Sequence, residues 1–220
     1  MTSVPSVVGL LLAAGAGSRM GRPKAGVEIG GRTLVEHGVE VMLQGGCREV
    51  LVVLGADADP IGAQLAASAD GWGDRVATVE CVQWESGLSA SLRTGLASLA
   101  ARGRGCPVAA LTHLVDLPDV GPSVIERILD RASDQQPWSK AIVRAVYNGR
   151  EGHPALIGLH HWQGVMDSAQ GDRGAGRYLR EHGAVPVECG DLAAGVDLDT
   201  PEDLAAYLTV DRRGTGGPPS

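Results

Sequence analysis

Phenylalanine is absent from this chain, and aromatic residues of all kinds make up only 3%. A core without Phe has to be built from Ala, Val, Leu and Ile. The chain also lacks a basic excess: 19 Lys and Arg stand against 26 Asp and Glu, a net charge of −7. Nucleic-acid binding needs a basic footprint and stacking platforms, so it is a poor expectation. No apolar run reaches the roughly 18 residues of a membrane span. The early run Val7–Ala14 has no basic residue before it and does not read as a signal peptide. The four cysteines (Cys47, Cys81, Cys106 and Cys189) form no CxxC pair and no zinc spacing, which reads as free thiols in a reducing cytoplasm.

What the chain has in excess is glycine, 32 of 220 residues. That is about twice the usual share and implies many tight turns or close backbone approaches. The chain shows no internal repeat and no central linker. Residues 1–210 read as one domain, and 211–220, poor in apolar residues, as a disordered tail.

Short apolar runs end in Gly, Asp or Pro: Val7–Ala14, Val50–Leu54, Val76–Val82, Val108–Val115 and Ala141–Val146. Helical spacing fills the gaps at Leu34–Leu43, Ile61–Ala67, Ser89–Ala101 and Ser123–Ala132. Continuous Val/Leu/Ala runs suit strands covered on both faces. Strands alternating with helices predict an α/β fold, a Rossmann-like, doubly wound, mostly parallel sheet flanked by helices. Ligands of such sheets sit at the carboxyl ends of the strands.

The loop after the first run reads Leu12-Ala13-Ala14-Gly15-Ala16-Gly17-Ser18-Arg19-Met20-Gly21-Arg22-Pro23-Lys24. Gly15, Gly17 and Gly21 let the backbone turn and present N–H groups. Ala13 and Ala14 are small enough for a flat ring to lie on the chain. Arg19, Arg22 and Lys24 gather three cations within six residues, which suits a polyphosphate. The P-loop pattern is absent, and for a GxGxxG dinucleotide loop the third glycine comes one place late. Farther on, Gly87 marks a turn, and Ser89 or Ser91 is placed to cap a helix N-terminus that favours an anion. The run Gly87-Leu88-Ser89 falls short of a GxSxG nucleophile elbow. Asp116, at a strand's carboxyl end before a Pro-containing turn, is a candidate Mg²⁺ ligand; starting that turn is its plainer role. Thr200 or Asp199 can cap the last helix, with Pro201 in its first turn.

The segment LAAGAGSRMGRPKA resembles the signature of the MobA-like nucleotidyltransferases, and more narrowly their molybdenum cofactor cytidylyltransferase branch. Four other stretches are similar to family elements: Trp84–Leu96, Gly152-His153-Pro154, Gly171–Ala175 and Asp197–Leu204. Val115 stands where the family usually has Gly. The resemblance implies a nucleotide site at Leu12, Ala13, Ala14, Gly15, Ala16 and Gly17, with Gly87 and Ser91. It implies that Arg19 and Lys24 contact phosphates, and that Asp199 joins Asp116 on Mg²⁺, with Asp197 a weaker candidate. Arg19, Lys24 and Asp116 become the expected catalytic groups, and Gly152, His153 and Asp172 the expected acceptor contacts. The implied partners are a nucleoside triphosphate, CTP favoured, and a small phosphorylated acceptor such as molybdopterin. A molybdoenzyme or its maturation factor would receive the product, with neither nucleic acid nor membrane involved.

A second resemblance, to a subgroup of NAD(P)H-dependent reductases of the nicotine blue oxidoreductase type, is carried by Leu34–His37, Leu114–Asp116 and Val187–Asp191. A third class, a nucleotide-binding regulator or assembly chaperone without turnover, would release no pyrophosphate.

Overall fold

A computed structural model describes residues 6–68 and 71–214. Strand β1 (Val7–Ala13) is buried along its whole length. A short hairpin of β2 (Glu28–Ile29) and β3 (Arg32–Thr33) precedes α1 (Leu34–Gln44). Thr33 and Glu36 close a reciprocal capping box at the start of α1, which satisfies backbone donors there. Then come β4 (Glu49–Leu54), α2 (Ala58–Ala67), β5 (Val76–Glu80), α3 (Leu88–Ala100) and β6 (Ala109–Leu114). After α4 (Pro122–Ser133) follow β7 (Ile142–Tyr147), β8 (Arg150–Gly158), α5 (Trp162–Ser168), α6 (Gly176–Glu181), β9 (Val185–Glu188) and α7 (Pro201–Gly214).

The main sheet has the order β5-β4-β1-β6-β8-β7-β9. Only β8 runs against its neighbours, pairing antiparallel with β6 and β7. The expected doubly wound, mostly parallel α/β sheet is therefore present. Alternation along each strand splits the core in two. One face packs Leu11, Val52 and Leu111 with Leu34, Met42 and Ile125 from α1 and α4. The other packs Leu10, Val53 and Ile157 with Leu92 and Leu96 of α3 and Trp162 of α5. Each such side chain, fully withdrawn from water, contributes about 1.5–3 kcal/mol. Aliphatic residues thus supply the core that missing Phe leaves to them.

The expected coverage of every strand on both faces fails at β5. Its Ala77, Thr78 and Glu80 are exposed, because β5 is an edge strand with β4 as its sole neighbour. The tail expectation also meets structure: α7 runs on to Gly214. The rest of that stretch, residues 215–220, and residues 1–5 of the expected domain lie outside the described residues. No helix among the described residues is long and apolar enough to cross a membrane.

Candidate active site

The glycine-rich loop leaves the carboxyl end of β1 and folds back on itself. Gly17 has φ 61°, and a Cβ there would lie 2.1 Å from the Arg22 carbonyl oxygen, so only glycine fits. After Pro23 a 3-10 turn, Lys24–Gly26, sends the Lys24 side chain inward. Its Nζ donates to Asp116 Oδ2 at 2.5 Å and to Asp199 Oδ1 at 2.6 Å. Arg19 Nη2 lies 2.9 Å from Asp199 Oδ2. Lys24 is 15% exposed and Arg19 68%, so Lys24 is the held cation and Arg19 the loose one.

Backbone bonds explain why carboxylates distant in sequence converge. Val115 N–H donates to the Leu12 carbonyl, which seats the turn after β6 against the end of β1. Leu198 N–H donates to the Asp116 carbonyl at 2.9 Å, which ties Asp197–Asp199 to that turn. Thr200 caps α7: Asp203 N–H donates to its Oγ1, and Asp203 Oδ2 accepts from Thr200 N–H. This bears out Thr200 as the cap, with Pro201 as the first helical residue.

Burial by itself would lower the Lys24 pKa, but Asp116 and Asp199 outweigh it and the ammonium is held above its usual range. Asp197 shows the converse. Burial first, then the charges of Asp116 and Asp199, pushes its carboxyl pKa up.

These groups line a cleft of about 710 Å³ at the carboxyl ends of β1 and β6. It gathers Leu12 from β1, Ala14, Gly15, Ala16, Gly17, Arg19 and Lys24 from the loop after it, Gly87 and Ser91 at the start of α3, and Asp116, Asp172, Asp197 and Asp199. Ala13 is the expected nucleotide residue left out. It is 1% exposed and faces the opposite side of the sheet, since side chains alternate along β1. The serine caps are also corrected. Gly87 (φ 93°) occupies the cap of α3 with no side-chain bond, while Ser89 and Ser91 lie within the helix. Ser89 anchors a loop instead, its N–H donating to the Gly171 carbonyl at 2.8 Å.

The expected acceptor residues divide. His153 and Asp172 line a second cavity of about 410 Å³, which shares Leu88 and Asp172 with the cleft. Gly152 lines neither of these two cavities; a Cβ there would meet the Tyr147 ring at 2.8 Å. Burial first, with a smaller push from Arg144, takes the His153 pKa down to about 4. Trp84 and Glu85 line the cleft without having been assigned a role from sequence; Trp84 offers the flat apolar surface that scarce aromatics made unexpected. Arg144, in the second cavity, carries no motif that would have revealed it.

The donors suit a hard cation. Asp116 and Asp199 converge on the Lys24 ammonium, and Asp199 also pairs with Arg19, so two carboxylates already face positive charge here. Among the described residues no three His, Cys, Asp or Glu form a ready metal cluster. A Mg²⁺-like ion held by two carboxylates needs further oxygens from water and phosphate.

The MobA-like NTP transferase domain family matches residues 9–186. A nicotine blue oxidoreductase from Paenarthrobacter nicotinovorans is 36% identical over 215 residues, 94% of this chain and 98% of its own. A 2-C-methyl-D-erythritol 4-phosphate cytidylyltransferase from Pseudomonas fluorescens is 30% identical over 133 residues, 60% of this chain and 54% of its own. Among solved structures, Rv0371c from Mycobacterium tuberculosis in complex with manganese superposes with TM-score 0.66 at 25% identity, covering 93% of this chain and 98% of the other.

Proposed function

The chain belongs to the MobA-like NTP transferase family, and from that premise we propose that it transfers a cytidylyl group from CTP to a phosphorylated acceptor such as molybdopterin. The observation that carries this reading is the Lys24 ammonium bridging Asp116 and Asp199 at the mouth of a glycine-rich loop. Asp116 and Asp199 would hold Mg²⁺, which supplies charge neutralisation at the α-phosphate. Lys24 and Arg19 bind the β- and γ-phosphates and stabilise them as they leave as pyrophosphate. An oxygen of the acceptor phosphate bonds to the α-phosphorus as the bond to the β-phosphate oxygen breaks. That nucleophile is already anionic, so no side chain has to remove a proton. Catalysis is positioning plus charge stabilisation.

CTP is supported by the Ala13-Ala14-Gly15 run and by the cytidylyltransferase relative. A divalent metal is supported by the two carboxylates and by the manganese complex of the similar structure. The four cysteines are free thiols, in keeping with work in the cytoplasm beside a molybdoenzyme or its maturation factor.

One observation favours a second reading. The nicotine blue oxidoreductase relative aligns over nearly the whole of both chains, so NAD(P)H-dependent reduction is the alternative. A thermal-shift panel with CTP, GTP, ATP, NADH and NADPH, each with and without Mg²⁺, separates them. A ligand at a hundred times its Kd stabilises the folded state by about 2.7 kcal/mol. A shift with CTP that requires Mg²⁺ is expected. A metal-independent shift with NADH or NADPH, and none with CTP, overturns the transferase in favour of the reductase.

A further inference from the structure

The second cavity holds a charge that its own residues leave poorly matched. Arg144, on β7, lines it and is only 10% exposed. Its Nε and Nη1 are buried and make no hydrogen bond. Glu151 Oε2 lies 2.7 Å from that Nη1, at ion-pair distance but without hydrogen-bond geometry. The same oxygen accepts a hydrogen bond from Arg180 Nη1 at 2.8 Å. One carboxylate is thus divided between two guanidinium groups. Arg173 and Arg177 add positive charge to the wall, and Arg177 is matched by Glu181 at 2.7 Å. Burial lowers the Arg144 pKa, and the Arg180 charge adds to that, so the cost of holding this cation dry is not fully met by Glu151. A buried guanidinium without its complement is an arrangement that an incoming oxyanion completes, and its planar fork takes phosphate oxygens two at a time.

The cavity also adjoins the first cleft. It shares Leu88 and Asp172 with the nucleotide cleft, and His153 of its wall feels the charges of both Arg144 and Asp116. We propose that Arg144, assisted by Arg180, is the anion-binding pair that seats the acceptor's phosphate monoester beside the nucleotide cleft. This rests on the transferase reading above. Arg144 then decides which acceptors are taken: phosphorylated ones enter, and neutral analogues of the same shape are refused.

The test is calorimetric titration of the full chain with inorganic phosphate at constant ionic strength, with acetate as the monoanionic control and a parallel titration with CTP and Mg²⁺. Saturable phosphate binding that persists with CTP present is expected, with acetate weaker. Arg144→Met should weaken phosphate about tenfold or more, and Arg144→Lys less, because a point charge replaces the bidentate fork. Should Arg144→Met fail to fold, Arg180→Gln, at a side chain 59% exposed, carries the test with a loss of about threefold. CTP binding should be unchanged in every variant. Phosphate displaced by CTP, phosphate binding untouched by the substitutions, acetate as good as phosphate, or no binding to the unaltered chain would each overturn the proposal. Loss of phosphate binding in the variants of a chain that ignores CTP would leave the anion site standing and sink the transferase reading. Intact CTP binding with indifferent variants does the reverse.

Discussion

In the cleft at the ends of β1 and β6 the Lys24 ammonium is shared by Asp116 and Asp199, and burial, then the charges of both, raises the Asp197 pKa. Beside the adjoining cavity, Arg144 and Arg180 of its wall share one carboxylate, that of Glu151. The first site is short of positive charge and the second short of negative charge, although a common wall of Leu88 and Asp172 joins them. Partly buried charges left in excess are costly, and each imbalance is relieved by a ligand of the opposite sign. A divalent cation suits the first and a phosphate the second, which together are what transfer from a nucleoside triphosphate to a phosphorylated acceptor requires.

Four perturbations test this contrast. The largest effect is expected from Asp116→Asn, which removes half of the acidic bridge. Nucleotidyl transfer should fall about 10²- to 10³-fold, the usual cost of one preorganised charge-stabilising group, while the melting temperature stays close to that of the unaltered chain. Full activity in the purified variant would rule out Asp116 as a metal ligand. Next, Lys24→Met removes the ammonium between Asp116 and Asp199 and leaves only the exposed Arg19 beside Asp199. In urea unfolding the metal-free variant should lose about 2–3 kcal/mol, and Mg²⁺ or Mn²⁺ should stabilise it more than it stabilises the unaltered chain. Equal metal responses would mean that the ammonium does not stand in the cation's place.

A smaller effect is expected from Gly17→Ala, which forces a side chain into a left-handed turn against the Arg22 carbonyl. The cost should be about 1–2 kcal/mol, read as weaker CTP binding with the core unfolding transition little changed. A variant that binds CTP as before would show that the loop does not hold the phosphates.

The smallest and most local test uses His153, in the wall of the second cavity, as a reporter. Its pKa is down at about 4, and that of His113 at about 3, burial being the first cause of each, against an ordinary 6.5. Below pH 6.5 the unfolded chain therefore takes up protons that the folded chain refuses. Stability falls through that window as pH drops, and the loss levels off below the folded values. Within it the two cavities act oppositely on His153: Asp116 raises its pKa and Arg144 lowers it. Asp116→Asn should move the His153 ring titration, followed by NMR, farther down, and Arg144→Met should move it up. Shifts of the same sign would show that His153 does not sense both charges.

Much of the nucleotide half was legible without coordinates. The runs at Val7, Val50 and Val108 became β1, β4 and β6 because continuous apolar strands are what a sheet covered on both faces demands. Arg19, Lys24 and Asp116 could be picked out because their neighbours carry turn chemistry, Gly15, Gly17 and Pro118, whereas Asp199 was implied as a ligand only by the family resemblance. The acceptor half was far less readable. Strand β8 carries the polar start Arg150-Glu151-Gly152-His153, so its periodicity is weak, and its insertion between β6 and β7 is a matter of long-range pairing.

The residues alone were enough for an aliphatic α/β sheet and for a glycine-rich loop at the end of β1 that gathers three cations. These follow from local rules of burial, turn geometry and charge. The packing of the sheet made Lys24 hold carboxylates 92 and 175 residues away, and turned Ala13 from the cleft while Leu12 and Ala14 face it. It alone placed Arg144 in one cavity with Asp172 and within ion-pair distance of Glu151. Strand order and register make those meetings, and they are set by how whole layers bury their surfaces rather than by anything within reach of a sequence window.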